Sequence, residues 1–387
     1  MTIYFDNNAT TRLDEPVLQA MLPYLRESYA NASSLHQPGR TARAAIDDAR
    51  EQVATLVNAH PSQVLFTGGG TEANNMALKG LAARLKTGRI LVSAIEHPAV
   101  LEPGEVLARA GWQVEHIPVD AQGRLNLDAY TQLLAKGDVR IVACMYANNE
   151  TGVIQDIPAI SALAREHGAL MHCDAVQAAG KVPLSYRQSG AHTMSLSAHK
   201  INGPKGVGAL ILDKGLDIDA LHHGGSHERG LRGGTENTAA IVGFGKAAEL
   251  AVKELDERSK HTRELREHLQ TGLSAIPGIQ IFATEAERLP NTLQFSVPGF
   301  DGESLLMSLD RYGIAVSSGS ACASGSVEPS HVLLAMGLPA ETAKGAIRVS
   351  LGKDNNLDEV NQMLTVLAQL TQGGAPMPSI NPAVLAG

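Results

Sequence analysis

The stretch QVLFTGGGTEANNMALKGLAARLKTGRILVSAIEHPAV, residues 63–100, decides how the chain is read. It opens on a short apolar strand (63–66), turns through three consecutive glycines and continues as a helix over 71–85. A second apolar strand follows at 89–93, then a helix over 98–110. Strand, turn, helix, strand in that rhythm is a βαβ unit, whose crossover helix makes the two strands parallel.

The rhythm extends in both directions. Toward the C-terminus come a strand at 113–119, a helix at 126–134, a strand at 140–145, a helix at 157–166 and a strand at 169–173. Toward the N-terminus, Val17, Leu18, Met21, Leu22 and Leu25 fall at helical spacing within 15–29 behind Asp14 as an N-cap, and a second amphipathic helix covers 41–57. The expected fold is α/β, with a mostly parallel sheet flanked by helices. Past Lys200 the pattern changes. A Gly- and His-rich stretch (222–234) leads into a long helical region over 236–276, followed by a section with fewer helices per strand. That section, with segments at 291–297, 302–311, 345–351 and 357–370, reads as a smaller α+β domain, with a boundary near residue 256. The last fifteen residues read as a loose tail.

Composition narrows the class. At 387 residues the chain is long enough for two domains. Its formal net charge of −8, with no basic stripe, argues against sequence-independent nucleic-acid binding, which needs many phosphate-neutralising Lys and Arg. Three cysteines without a CxxC (Cys144, Cys173 and Cys322) exclude a disulfide framework and a structural zinc site, and point to a reducing compartment. The N-terminus has no signal-peptide pattern, and no apolar run reaches the ~18 residues of a membrane span. A soluble cytoplasmic protein is expected.

Several segments carry chemistry. The glycines of TGGGTE (67–72) let backbone approach a ligand, and the helix that follows offers free N–H groups to an anion; a tight turn without ligand is the alternative. In SAHKINGP (197–204), Lys200 sits at a strand end among small, hydroxyl and imidazole groups, which suits a Schiff base with an aldehyde cofactor, although any one lysine is more often a solvated surface charge. Asp174, at the tip of the strand 26 residues earlier, can keep a pyridinium nitrogen protonated, as pyridoxal phosphate (PLP) enzymes require; a helix-capping role is the alternative. His97 could stack on a planar cofactor and move protons near neutral pH, although a lone histidine is more often structural. The amides of ANNETG (147–152) suit a phenolic oxygen or a carboxylate, with a plain turn as the alternative. These strand ends all fall on the carboxyl edge of the sheet, where ligands of open α/β folds collect. Cys322 lies in SSGSACASGS (317–326), a run of small residues with nothing to bury it. That is how a nucleophilic thiol is presented, whereas Cys144 and Cys173 lie in apolar strands.

Together YFDNNATT, TGGGTEANN, EHPAV, NNETG, DAVQ, SAHKINGPKG, GGSHERGLRGGTENT, SSGSACASGSVEPSHVLLAMG and AIRVSLG resemble the cysteine desulfurases, PLP enzymes of fold type I in the class V aminotransferase superfamily. SSGSAC resembles the long-loop group that supplies sulfur for iron–sulfur clusters, and LRGGTENT resembles its nitrogen-fixation branch. The resemblance implies a large PLP-binding domain over 13–256. Residues 1–12 and 257–387 would form a small domain whose mobile loop, about 318–330, carries Cys322. It implies that Lys200 holds PLP and removes the substrate Cα proton. Asp174 would pair with the ring nitrogen, Gln177 would bond the phenolic oxygen and His97 would stack on the ring. Gly70, Thr71, Ser197 and His199 would grip the phosphate, and Thr235 would reach the phosphate of a second subunit in a homodimer. Arg348, helped by Asn148, would bind the carboxylate of L-cysteine. Cys322 would take the substrate sulfur as a persulfide, leave alanine, and pass the sulfur to an iron–sulfur scaffold or other acceptor protein. No resident metal is expected. A selenocysteine lyase or an aminotransferase would keep Lys200 and Asp174, but an aminotransferase has no use for Cys322. A metal-binding scaffold built on His222, His223 and His227 is weakened by Gly224 and Gly225, which break helical pairing.

Overall fold

A computed structural model of the chain describes residues 2–297, 299–318 and 328–371. From the N-terminus, β1 (Ile3–Tyr4), α1 (Glu15–Arg26) and α2 (Gln37–Leu56) lead to β2 (Val64–Thr67), α3 (Gly70–Arg84), β3 (Arg89–Ser93) and α4 (Pro98–Arg109). Then come β4 (Gln113–Ile117), α5 (Leu127–Ala135), β5 (Val139–Ala143), α6 (Ile157–Glu166), β6 (Leu170–Asp174), α7 (Tyr186–Ser189), β7 (Thr193–Ser197) and β8 (Gly208–Leu212). The C-terminal part holds α8 (Thr238–Lys253), α9 (Leu255–Ser274), β9 (Gln280–Ile281), β10 (Thr292–Ser296) and α10 (Gly302–Arg311). It continues with β11 (Ile314–Ala315), β12 (Ser317–Ser318), α11 (His331–Ala335), α12 (Ala340–Lys344), β13 (Ala346–Ser350) and α13 (Leu357–Thr371).

Seven strands form one sheet in the order β2-β8-β7-β6-β5-β3-β4. All pairings are parallel except those of β8, which runs antiparallel to both β2 and β7. The mostly parallel α/β sheet expected from the sequence is therefore present, and β8 is the strand that expectation lacked. β3, β7 and β8 are buried along their whole length and β5 and β6 at all but one residue each, as in sheets covered on both faces. One face packs Ile46, Val53, Ile160 and Phe244 from α2, α6 and α8. The other packs Met76, Leu81, Val100 and Leu107 from α3 and α4.

A second sheet, β12-β13-β10-β9, is built from the C-terminal third. Its core joins Phe295 and Val349 to Leu269, Leu305 and Val360 from α9, α10 and α13, and also takes Ile3 and Phe5 from the N-terminus. The parallel pairing of β1 with β11 explains how the first residues reach that core. The long helical region is two helices, broken at Glu254. The second amphipathic helix starts earlier than expected, because His36 caps it by accepting from Gly39 N and Pro38 stands in its first turn.

Candidate active site

Five strand ends meet at the carboxyl edge of the main sheet. β2 delivers the glycine turn and α3, β3 delivers His97, β5 leads to residues 147–152, β6 ends at Asp174, and β7 ends at Ser197 just before Lys200. Between them lies a cavity of about 310 Å³ lined by His97, Asp174, Gln177, Ser197, Lys200 and Arg348, among others. It shares Gly70, Thr71, Ser197 and His199 with an open hollow of about 870 Å³ beside the start of α3.

The glycine turn is shaped for close approach. Gly69 adopts φ +154° and ψ 179°, a region that only glycine occupies without strain. A Cβ on Gly70 would come 2.8 Å from Val176 Cγ2. The first turn of α3 thus opens its N–H groups toward the cavity, where the helix dipole favours an anion. Ser197 Oγ, beside it, is buried with no hydrogen-bond partner among the described residues. An orphaned hydroxyl next to a helix N-terminus fits a phosphate that supplies the missing partner.

Asp174 is buried and held at both oxygens. Oδ2 accepts from Asn74 Nδ2 at 2.7 Å and Oδ1 accepts from Val176 N at 2.9 Å. Behind Asn74, His172 Nε2 donates to Asn74 Oδ1 at 3.0 Å, and His172 Nδ1 lies 2.9 Å from Thr193 Oγ1. Burial pushes the His172 imidazole down to about 4, so the ring is neutral. A carboxylate oriented this way fits a pyridinium N–H.

His97 caps α4, its Nδ1 accepting from Ala99 N at 3.0 Å, so the neutral ring carries its proton on Nε2. Burial lowers its pKa below the ordinary histidine value, with Lys200, His331 and Arg348 acting in the same direction and Asp174 opposing. Lys200 Nζ donates to the carbonyls of Asn8 and Ala9, the latter at 2.8 Å. His199 Nδ1 lies 3.2 Å from Thr10 Oγ1, and burial pushes that imidazole to about 4. Arg348, on β13, is buried. Its Nη2 donates to Asp6 Oδ1 at 2.6 Å and its Nη1 to Asn149 O at 3.2 Å, while its Nε has no partner among the described residues. That spare donor beside two anchored ones suits a carboxylate.

Asn148 does not line the cavity. Its Oδ1 accepts from Glu150 N, Thr151 N and Thr151 Oγ1 within its own turn and its Nδ2 donates to Ile95 O on the loop after β3, so both ends of the amide are spent on the protein frame. Asn149 lines the cavity in its place. Thr235 is exposed and borders neither hollow of its own chain. Cys322 lies outside the described residues. Cys144 and Cys173 are buried, and burial raises both thiols well above the ordinary value, which removes them as nucleophiles.

Sequence reasoning missed Asn74, His172, Asn8 and Lys181, and of the two amides it offered in 147–152 the resemblance took Asn148, whereas Asn149 is the one that lines the cavity. Asn74 was accessible, since it stands four residues beyond Gly70 on one helix face. Asn8 lay in DNNATT without any mark of its role. At the far end of the Cys322 segment, Ser330 Oγ donates to Glu150 Oε2 at 2.6 Å and His331 Nε2 donates to Glu96 O at 2.9 Å. The near end is pinned by β12, where Ser317 pairs with Arg348. The described ends thus contact Arg348, which lines the cavity, and Glu150 and Glu96, the chain neighbours of the cavity-lining Asn149 and His97.

The family model for aminotransferase class-V matches residues 3–363. The chain is 43% identical over 373 residues to the cysteine desulfurase IscS of Dictyoglomus turgidum, covering 96% of this chain and 94% of the relative. It is also 43% identical over 375 residues to the cysteine desulfurase NifS of Azotobacter vinelandii, covering 95% and 93%. These two relatives are thus equally similar to the chain by this measure. Among solved structures, SspA in complex with cysteine superposes with a TM-score of 0.81 at 32% identity, covering 91% of this chain and 99% of that one. By sequence over nearly its whole length, and by fold, the chain belongs to the aminotransferase class-V family and, within it, to the cysteine desulfurases.

Proposed function

We propose that this cysteine desulfurase uses PLP, held at Lys200, to convert L-cysteine to L-alanine while Cys322 takes the sulfur as a persulfide for transfer to an iron–sulfur scaffold or other acceptor protein. The observation that carries the reading is the single cavity bordered by Lys200, the doubly anchored Asp174, the orphaned Ser197 hydroxyl and the spare donor of Arg348. Aminotransferase chemistry would need the first three groups, and the thiol of the SSGSAC sequence, whose described flank pairs with the cavity-lining Arg348, favours the sulfur-transfer reading over it.

When bound, the cofactor supplies the electron sink that lets the substrate Cα proton leave and weakens the Cβ–Sγ bond. The chain's own groups do the rest. The first turn of α3, with Ser197 and His199, holds the phosphate. Asp174 Oδ1 or Oδ2 keeps the ring nitrogen protonated, and Gln177 donates an amide N–H to the ring oxygen. Arg348, with Asn149 in place of Asn148, fixes the substrate carboxylate and so aligns Cα with Lys200 Nζ, which takes the Cα proton. His97, neutral and carrying its proton on Nε2, would stack on the ring and take up the Cys322 thiol proton at Nδ1, giving up its bond from Ala99 N and becoming imidazolium. The Cys322 thiolate then attacks the substrate sulfur. An S–S bond forms as Cβ–Sγ breaks, and the electron pair left on Cβ is quenched by a proton to give alanine.

The division into 13–256 and 1–12 with 257–387 belongs to the same proposal, supported by the separate apolar cores of the two sheets. A homodimer, with Thr235 reaching the neighbouring phosphate, is supported by the exposure of Thr235 and of Tyr29 and Leu35, which are 86% and 89% exposed in the single chain. No helix among the described residues is long and apolar enough to cross a membrane.

Borohydride reduction of the coloured protein should fix the cofactor on the Lys200 peptide. Cys322→Ala should keep the cofactor spectrum and lose sulfide release from L-cysteine. A colourless protein, or an active Cys322→Ala variant, contradicts the proposal.

A further inference from the structure

Lys181 stands four residues beyond Gln177, and nothing in the reaction described above uses it. Its Nζ donates to Gln177 Oε1 at 2.6 Å and to Asn8 Oδ1 at 2.8 Å. Gln177 Nε2 in turn donates to Asn8 O at 3.0 Å, the same carbonyl that accepts from Lys200 Nζ. Asn8 cannot turn its own amide to accommodate other partners. Its Oδ1 also accepts from Asn291 Nδ2 at 3.1 Å, and its Nδ2 donates to Asn149 O at 3.0 Å and Thr292 Oγ1 at 2.9 Å.

An amide side chain presents an acceptor at one end and two donors at the other, and its partners decide which way it points. A lysine amine facing it in this way donates, so the atom turned to Lys181 is the Gln177 oxygen. Both Gln177 N–H bonds are then left for Asn8 O and for the cavity that Gln177 lines. Among the described residues no carboxylate pairs with Lys181, so charge pairing does not account for its place. Burial holds its amine well below the usual lysine range, with Lys200 and Arg348 pushing in the same direction. The donor role survives either protonation state.

We propose, resting on the PLP reading above, that Lys181 is a positioning residue: it locks the Gln177 amide so that an N–H faces the cavity and donates to the anionic ring oxygen of the cofactor. A donor at that oxygen competes with the proton shared between the oxygen and the imine nitrogen. It therefore lowers the pH at which the visible absorbance of the bound cofactor titrates.

The test is a spectrophotometric pH titration of the holoenzyme without substrate. Lys181→Met should raise the midpoint by about one pH unit, and Gln177→Ala should raise it by a similar amount. The double variant should rise no further than either single one, because both act through one bond. Lys181→Arg, which restores a donor, should return the midpoint toward wild type. If Lys181→Met does not fold, Lys181→Ala takes its place with the same expected rise. A wild-type midpoint in the Met or Ala variant, or a double variant that shifts by the sum of the two, overturns the proposal. Failure of the wild-type chain to take up PLP contradicts the parent reading instead.

Discussion

At the cavity the fold favours the neutral form of His97. Burial disfavours the imidazolium, and the Nδ1 lone pair is occupied by Ala99 N–H. The neutral ring is the working form, so activity is retained above its lowered pKa and lost as pH falls through it. The acid limb of kcat/KM should therefore lie below the ordinary histidine value of 6.5. His97→Gln should abolish that limb and slow turnover about 10²-fold or more. Arg348→Lys replaces a planar fork with a point charge. It should raise KM for L-cysteine and cost about 1.5–3 kcal/mol in kcat/KM, with the cofactor spectrum unchanged. Residue types were readable in the sequence where chemistry restricts them: a lysine at a strand end, a carboxylate at a strand tip, a thiol among small residues. Choosing between Asn148 and Asn149 was not, because both are amides in one turn and only the backbone path decides which one the turn consumes. Lys181 was equally silent, since its partners come from residue 8 and residue 177.

At the scale of elements, the turn between β2 and α3 and the network behind β6 are the two local structures on which the site depends. Gly69→Ala forces a side chain into a backbone region reserved for glycine, and should cost about 1–3 kcal/mol of stability. It should also weaken phosphate binding, seen as faster cofactor loss on dialysis. His172 is buried neutral with its pKa lowered from 6.5 to about 4. The unfolded chain binds more protons in that interval, so stability rises with pH from about 4 to 6.5 and the contribution is fully present above 6.5. That linkage amounts to about 3 kcal/mol. His172→Asn should flatten the change in urea midpoint between pH 4.5 and 7 (about two and a half units of pH, within the interval set by that shift); an unchanged slope would contradict the assignment. The βαβ elements were legible because apolar runs of strand length alternate with helix-length segments. β8 was not, because GALIL is a short apolar run with no periodicity of its own and takes its direction from β2 and β7. The break at Glu254 was hidden in the same way, since both flanking segments are helical.

Across the whole molecule, the N-terminal segment ties the two sheets together at the site. Asn8 bonds Asn149, Gln177 and Lys181 on one side and Asn291, Thr292 and Ser350 on the other. Arg348 on β13 reaches Asp6 and Asn149. Asn8→Ala leaves several of these buried groups without partners and should lower stability by about 1–3 kcal/mol, measured by calorimetry. The α/β class could be read from the order of elements along the chain, whereas this long-range tie could not, because its partners are separated by more than 280 residues. The account turns on one event at the scale of the molecule: sulfur leaving a substrate fixed between the two sheets and arriving on Cys322. A single turnover with L-cysteine, followed by alkylation of thiols and peptide mass analysis, tests it directly. The account predicts one added sulfur on the Cys322 peptide, matched by one alanine per site, with Cys144 and Cys173 unmodified. Alanine formed with no sulfur on Cys322, or with the sulfur on Cys144 or Cys173, would contradict it.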